Sequence, residues 1–309
     1  MRTRLVNKIW AKVAGLSLLF IIPLQGCVED DLSVCGVSVD FVFTKNVEGI
    51  DKFPTNVDKI NLFIYDFQGN FIGEFSEEGA RLHSGPMKLN LMEGRYSLVA
   101  WGNLFDDYKL HGIEGFTDAN LSLIRANDTI KNRPGDLYHG MLYQVEIKPD
   151  LQNNQLLTIE LTKNTNNVVV TTIGMPYNEH SKTSYDCSIV SKNGDYKFDN
   201  SITGPDRLHY MPESFINEEE ERVSDFIIMR ELNDKAITGS QLLIIRKTEG
   251  EAPVTLVRTS LTDLLIPISI TGDLDIDDYF EIEVEITETN GTASIFINGW
   301  DALGGGGPV

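Results

Sequence analysis

The chain has 309 residues, more than one compact domain usually holds, so its length favours two domains. Apolar residues make up 41% of it, an ordinary share that gives no case for disorder. A formal net charge of −20 repels phosphate backbones and anionic lipid headgroups, so nucleic acid is excluded as a partner; the charge serves solubility and self-repulsion.

Residues 1–26 read as a targeting segment rather than part of the fold. Arg2, Arg4, Lys8 and Lys12 form a positive start, and Val13–Leu24 is uncharged and mostly apolar. Twelve residues rise only about 18 Å as a helix, short of a hydrocarbon layer of roughly 30 Å. Leu24, Gln25, Gly26 and Cys27 then resemble the lipobox of lipoprotein signal peptides. Small Gly26 admits the backbone to the peptidase, and the Cys27 thiol receives diacylglycerol. Three acyl chains on Cys27 would give stable anchoring, which needs more than one. Loss of residues 1–26 removes four basic residues and no acid, taking the charge from −20 to −24. Glu29, Asp30 and Asp31 look like the acidic export tag of surface lipoproteins in some Gram-negative lineages, and equally suit a solvated spacer. The expected location is therefore the outer membrane, facing outward, with residues 27–36 as a lipidated acidic arm. Cys35 and Cys187 would sit in a compartment that permits disulfides; a Cys35–Cys187 bridge and two separate, partly buried thiols both fit.

Beyond the arm, the dominant signal is period two. Val37, Val39, Phe41 and Phe43 alternate with mostly polar neighbours. Lys59–Asp66 is apolar on both faces, as a central strand is, and Gln68-Gly69-Asn70 turns it into Phe71–Phe75. Met87–Leu91, Tyr96–Trp101 and Gln155–Leu161 follow as strands. In the second half Asn167–Ile173, Tyr185–Val190, Phe226–Met229, Leu242–Arg246 and Val254–Thr259 read the same way. Phe280–Thr287 alternates apolar residues with Glu281, Glu283 and Glu285, and Asn290-Gly291 marks a hairpin into Ala293–Trp300. Short helices are expected near Asp118–Arg125 and Glu213–Arg222. Many short strands without βαβ spacing predict an all-β chain of two antiparallel sandwiches. The join falls in the polar stretch Thr162–Asn167, giving sandwiches at 37–163 and 164–300 and a Gly-rich tail at 301–309.

Chemistry is sparse. There is no phosphate loop, dinucleotide fingerprint, nucleophile elbow or zinc-protease helix. The five histidines form no ligand-spaced pair. Asp273, Asp275 and Asp277 imitate the start of a calcium loop, but Asp278 stands where Gly belongs and Val284 where a bidentate Glu does. Glu281, Glu283 and Glu285 have a spacing compatible with paired catalytic carboxylates, on a strand face that is expected to be solvated and so would raise neither pKa. Neither an enzyme nor a metal or cofactor is expected. Tyr96 and Trp101 have opposite parity on one strand and cannot share a sugar-stacking face; Tyr108, Tyr138 and Tyr143 could cluster into one.

Several segments resemble FimB/Mfa-type fimbrial subunits. Cys27–Cys35 (CVEDDLSVC) is similar to their lipidated cysteine, acidic pair and second cysteine. Leu62–Asp66 with Gly69 looks like their strand and turn, and Glu93–Asn103 (EGRYSLVAWGN) like their most specific signature. Ile295–Trp300 (IFINGW) is similar to their terminal strand. The resemblance implies two tandem transthyretin-like sandwiches and a role in anchoring or terminating fimbriae at the outer membrane. It also implies other fimbrial subunits as partners, joined by strand addition, with a host or polysaccharide ligand as a further expectation. In polymerising relatives an Arg-specific protease removes the lipidated segment; here no arginine lies between Cys27 and Arg81. One departure stands out: Asp301–Val309 has no alternating apolar run to serve as a donor strand.

Overall fold

The computed structural model describes residues 35–148, 155–175, 182–204, 207–289, 292–298 and 300–301. Its strands in the first half are β1 (Cys35–Val42), β2 (Lys59–Asp66), β3 (Phe71–Glu78), β4 (Met87–Leu91), β5 (Gly94–Gly102), β6 (Tyr108–His111), β7 (Asn120–Leu123), β8 (Thr129–Ile130), β9 (Tyr138–Ile147), β10 (Gln155–Glu160) and β11 (Thr162–Lys163). In the second half they are β12 (Thr165–Ile173), β13 (Thr183–Ser191), β14 (Asp195–Lys197), β15 (Leu208–Tyr210), β16 (Ser214–Ile216), β17 (Arg222–Met229), β18 (Gln241–Thr248), β19 (Val254–Ser260), β20 (Tyr279–Thr289), β21 (Thr292–Ile297) and β22 (Trp300–Asp301). Each strand expected from alternation has a counterpart, because burying one face fixes which residues turn inward; the Ala293–Trp300 run divides between β21 and β22, and Asn290-Gly291 lies outside the described residues.

The two halves share a topology. The first pairs sheets β10-β1-β4 and β11-β9-β5-β2-β3; the second pairs β16-β17-β12-β20-β21-β22 and β19-β18-β13-β15-β8. In each, the opening strand lies between an antiparallel neighbour and a parallel one: β1 between β4 and β10, β12 between β17 and β20. The run β9-β5-β2-β3 matches β19-β18-β13-β15 in order. The likeness is in pairing and leaves no sequence repeat. Antiparallel pairing dominates, as expected, but β1–β10, β12–β20 and β8–β15 are parallel.

The halves differ in one insertion. Between β18 and β19 there is a short turn; between β5 and β9 the chain runs through β6, β7 and β8. These strands weld the halves together. β7 pairs with β14 of the second half, completing a sheet β14-β7-β6, and β8 pairs with β15. Leu121 and Leu123 are buried on β7 in alternation with half-buried Asn120 and Ser122, so Asp118–Arg125 has a strand's period and not the expected helix. The Glu213–Arg222 helix is likewise absent: the Asn217 Oδ1 accepts from the Glu219 and Glu221 amides at 3.2 and 2.8 Å, turning β16 back into β17.

The sheet containing β2 and β5 is buried on both faces. Ile60, Leu62, Ile64, Leu98 and Ala100 face Val37, Val39, Phe41 and Phe43. Phe63, Tyr65, Val99 and Trp101 face the insertion and the second half, where Phe198 lies 5.0 Å from Phe63. Thr162–Asn167, which looks like a linker in sequence, is a buried polar knot. Lys163 reaches Asp136 at 3.0 Å and Asp278 at 2.8 Å. Asn164 and Asn200 exchange side-chain hydrogen bonds, and Asn166 Oδ1 accepts from the Glu231 amide at 2.6 Å. Burying such groups is costly unless each is bonded, and these are bonded across the join.

Candidate functional site

The N-terminal end of the first sandwich is where a tether would meet the fold. Leu24, Gln25, Gly26 and Cys27 lie outside the described residues. β1 begins at Cys35 and sits in the middle of its sheet, hydrogen-bonded on both sides. Val37, Val39, Phe41 and Phe43 are at most 4% exposed. Fully burying side chains of this size is worth about 1.5–3 kcal/mol each, so removing β1 would strip the core. The loop that follows is held as tightly. Asn46 Nδ2 donates to the Phe43 and Ile50 carbonyls at 2.9 and 2.8 Å, and Asp51 Oδ1 accepts from the Phe43 amide at 2.9 Å.

The segments carrying the family resemblance are structural devices. Asn103 closes the WGN signature with a φ of +56°, its Oδ1 accepting from the Asp58 amide at 2.8 Å and its Nδ2 donating to the Asn56 carbonyl at 2.9 Å. A side chain on Gly102 would come within 3.0 Å of Tyr138 Cβ, so the position is kept bare. Asp66 organises the β2–β3 turn: Oδ1 accepts from the Gln68 and Asn70 amides at 2.8 and 2.9 Å, and bonding from Asn70 lowers its pKa.

The other candidates disperse. Cys187 is a free, buried thiol, so the Cys35–Cys187 bridge is not formed. Cys187 lies on β13 among the second core, while Cys35 opens the first sheet. Burial pushes the Cys187 thiol up to about 12, which leaves it inert. Asp273 Oδ1 is taken by the Asp275 amide at 3.0 Å, and Asp277 by the Ser269 hydroxyl and the Thr271 amide. No group of three His, Cys, Asp or Glu converges as a metal site among the described residues. Glu281, Glu283 and Glu285 are exposed along β20. His83 and His111 are exposed too. His139 is buried with its Nε2 2.9 Å from the Phe198 carbonyl, and burial lowers its pKa to about 4.

The aromatics do not form the platform imagined for Tyr108, Tyr138 and Tyr143. Tyr108 and Tyr138 are buried in different cores, and Trp101 is fully buried against His139, with ring centroids 4.7 Å apart. Only Tyr143 faces solvent, 5.8 Å from Phe116. A bulge does this: Gln144 takes a φ of +51°, the register of β5 and β9 shifts, and Tyr143 is re-aimed outward. Nothing in the alternation signals a bulge in advance. A cleft of about 450 Å³ opens in the insertion, lined by Asp106, Asp107, Arg125, Thr129, Lys131 and Asn132 among others.

What this arrangement offers is two welded sandwiches, a first strand held at the centre of its sheet, and no convergent catalytic group among the described residues. The family model of fimbrillin-A associated anchor proteins Mfa1 and Mfa2 matches residues 32–302. The chain belongs to that family. The minor fimbrium anchoring subunit Mfa2 of Porphyromonas gingivalis is 27% identical over 199 residues, a match spanning 60% of this chain and 60% of that protein's length. The solved structure of the fimbrial anchor protein Mfa2 from the same organism superposes with a TM-score of 0.70 at 22% identity, covering 87% of this chain and 98% of that one. A candidate polysaccharide-binding protein from Bacteroides thetaiotaomicron gives 0.69 at 24%, covering 86% and 96%. A candidate adhesin from Bacteroides ovatus gives 0.71 at 22%, covering 89% and 96%. At these identities the structural likenesses establish a shared fold.

Proposed function

We propose that this protein is a lipid-tethered fimbrial subunit that anchors or terminates a fimbrium at the outer membrane, structural and not catalytic. The observation that carries this reading is the combination of β1 held at the centre of its sheet with a stretch from Cys27 to Arg81 free of arginine. An Arg-specific protease finds no site between lipid and fold, so the strand and its tether stay together. Residues 1–26 act as the signal peptide, Cys27 takes the acyl chains, and 27–36 is the arm. The matching topologies of the two halves support tandem transthyretin-like sandwiches divided at 163/164, with 301–309 as a tail. Family membership supports partnership with other fimbrial subunits at the cell surface.

Mass spectrometry of the mature protein tests the reading: an acylated Cys27 joined to the whole chain is expected. A mature chain beginning well downstream of Cys27 would overturn it. A deletion strain should shed its fimbriae or make them abnormally long.

A second reading, a surface glycan-binding lipoprotein, has one observation in its favour. Tyr143 is an exposed aromatic ring of the kind sugars stack upon, resting against half-buried Phe116. Loss of polysaccharide binding with normal fimbriae in the deletion strain would favour it.

A further inference from the structure

We infer that β1 and β10 form a clamp that takes tension in shear. The inference rests on the anchor reading, which supplies the tension, and concerns how the fold carries it.

β1 and β10 run parallel, from Val37 opposite Gln155 to Val42 opposite Glu160. The tether enters at the N-terminal end of β1. The covalent path to the second sandwich leaves at the C-terminal end of β10, through β11 and Asn164 into β12. A pull between lipid and second sandwich therefore draws the two strands in opposite directions along their own axes. All of their ladder hydrogen bonds take the force together. In an antiparallel hairpin pulled at its free ends, the bonds would open one pair at a time. Parallel pairing is thus what turns a peeling geometry into a shearing one.

The surroundings make slippage costly. β4 flanks β1 on its other side, from Cys35 opposite Leu91 to Val39 opposite Met87, so β1 must slide past two neighbours at once. A slip of one residue would turn Val37, Val39, Phe41 and Phe43 away from the core. At the exit end the Leu161 amide donates to the Val42 carbonyl at 2.8 Å, and Thr44 Oγ1 donates to Glu160 Oε1 at 2.5 Å. The next element is no slack linker but the buried knot around Lys163, which passes force on rather than stretching. The second sandwich repeats the device: β12 opens it at the join and runs parallel to β20, from Asn167 opposite Tyr279 to Ile173 opposite Glu285.

Single-molecule pulling tests this with one folded protein and two directions. The mature chain carries Cys27→Ser and Cys35→Ser, an N-terminal handle, and a second handle on Glu160→Cys or on Lys148→Cys. Buried Cys187 does not react. Lys148 donates its amide to Gln155 Oε1 at 3.3 Å, so it marks the opposite end of β10 from Glu160. The Glu160 handle shears β1 against β10; the Lys148 handle peels it. Forced unfolding reports the barrier along the pulled direction, so the force that first frees β1 should be several-fold higher with the Glu160 handle. Thr158→Cys, exposed on the same strand, serves if the Glu160 variant melts early. Equal forces in the two directions would overturn the clamp, even in a chain that cells acylate at Cys27. A wild-type chain found to start downstream of Cys27 would instead overturn the anchor reading and leave the force difference standing.

Discussion

Lys163 Nζ lies 2.8 Å from Asp278 Oδ2, joining the end of the first sandwich to the residue just ahead of β20 in the second. The same ammonium reaches Asp136, so one buried cation holds two carboxylates on either side of the join. The two sandwiches meet at this point through polar side chains that bond one another across the join.

Lys163→Ala should therefore destabilise the whole chain rather than loosen a linker. Breaking a buried pair costs about 3–5 kcal/mol, and water reaching the two aspartates brings this down to about 2 kcal/mol. Urea melts should keep a single transition shifted to lower denaturant. Separate transitions for the two halves would show that the knot does not couple them.

Trp101 tests the layer between the sandwiches. It is fully buried and packs on His139 and Phe198. Trp101→Ala should cost about 3–5 kcal/mol, read as a lowered Tm. An unchanged Tm would contradict the doubly buried sheet.

How far the sequence foretold this architecture depends on where the information sits. Val37–Phe43 and Phe280–Thr287 were legible because one face of each strand is apolar, and a single strand carries that pattern whole. Lys59–Asp66 announced a sheet buried on both sides by having no polar face. Pairing direction was not legible: that β1 runs parallel to β10 depends on residues over a hundred positions away in the chain. That the polar stretch Thr162–Asn167 packs as a buried knot was not legible, because Asn and Thr serve loops and buried hydrogen-bond networks alike, and only neighbours such as Asn200 and Glu231 decide which. The Tyr143 bulge and the weld made by β7 and β14 are likewise products of tertiary contact.

His139 and Glu231 pull stability in opposite directions with pH. Burial lowers the His139 pKa to about 4, so the folded state binds fewer protons than the unfolded one. Its contribution is intact above about 6.5 and is lost as pH falls toward 4, on the order of 3 kcal/mol in all. Glu231 is fully buried among the Thr238, Ser240 and Thr262 hydroxyls, and burial raises its pKa. Its contribution is present below the usual carboxylate range and is lost as pH rises through the folded value. His139→Gln should flatten the acid-side fall in Tm, and Glu231→Gln the fall as pH rises above the usual carboxylate range. If neither variant changes the Tm–pH profile, these two groups do not set it.

The remaining prediction separates an anchor from a released, polymerising subunit. Asn46 sits in the loop after β1, outside the ladder with β10 but bonded to the Phe43 and Ile50 carbonyls. Asn46→Arg gives an Arg-specific protease the site that the wild type lacks before Arg81. The lost side-chain bonds loosen the loop by about 1–2 kcal/mol, which helps the protease reach it. Cutting there leaves β1 attached to the lipid yet no longer covalently joined to the rest. What then holds the fimbrium is the ladder alone, together with the burial of Val37, Val39, Phe41 and Phe43. Without a covalent link, each dissociation of β1 becomes final once the body diffuses away. Cells that carry the variant and such a protease should therefore release the protein, or fimbriae bearing it, into the medium. Cells lacking the protease should retain both. Retention in the two strains alike, with cleavage after residue 46 verified by mass spectrometry, would mean that the β1 ladder holds the body without a covalent link, and the expected release would fail.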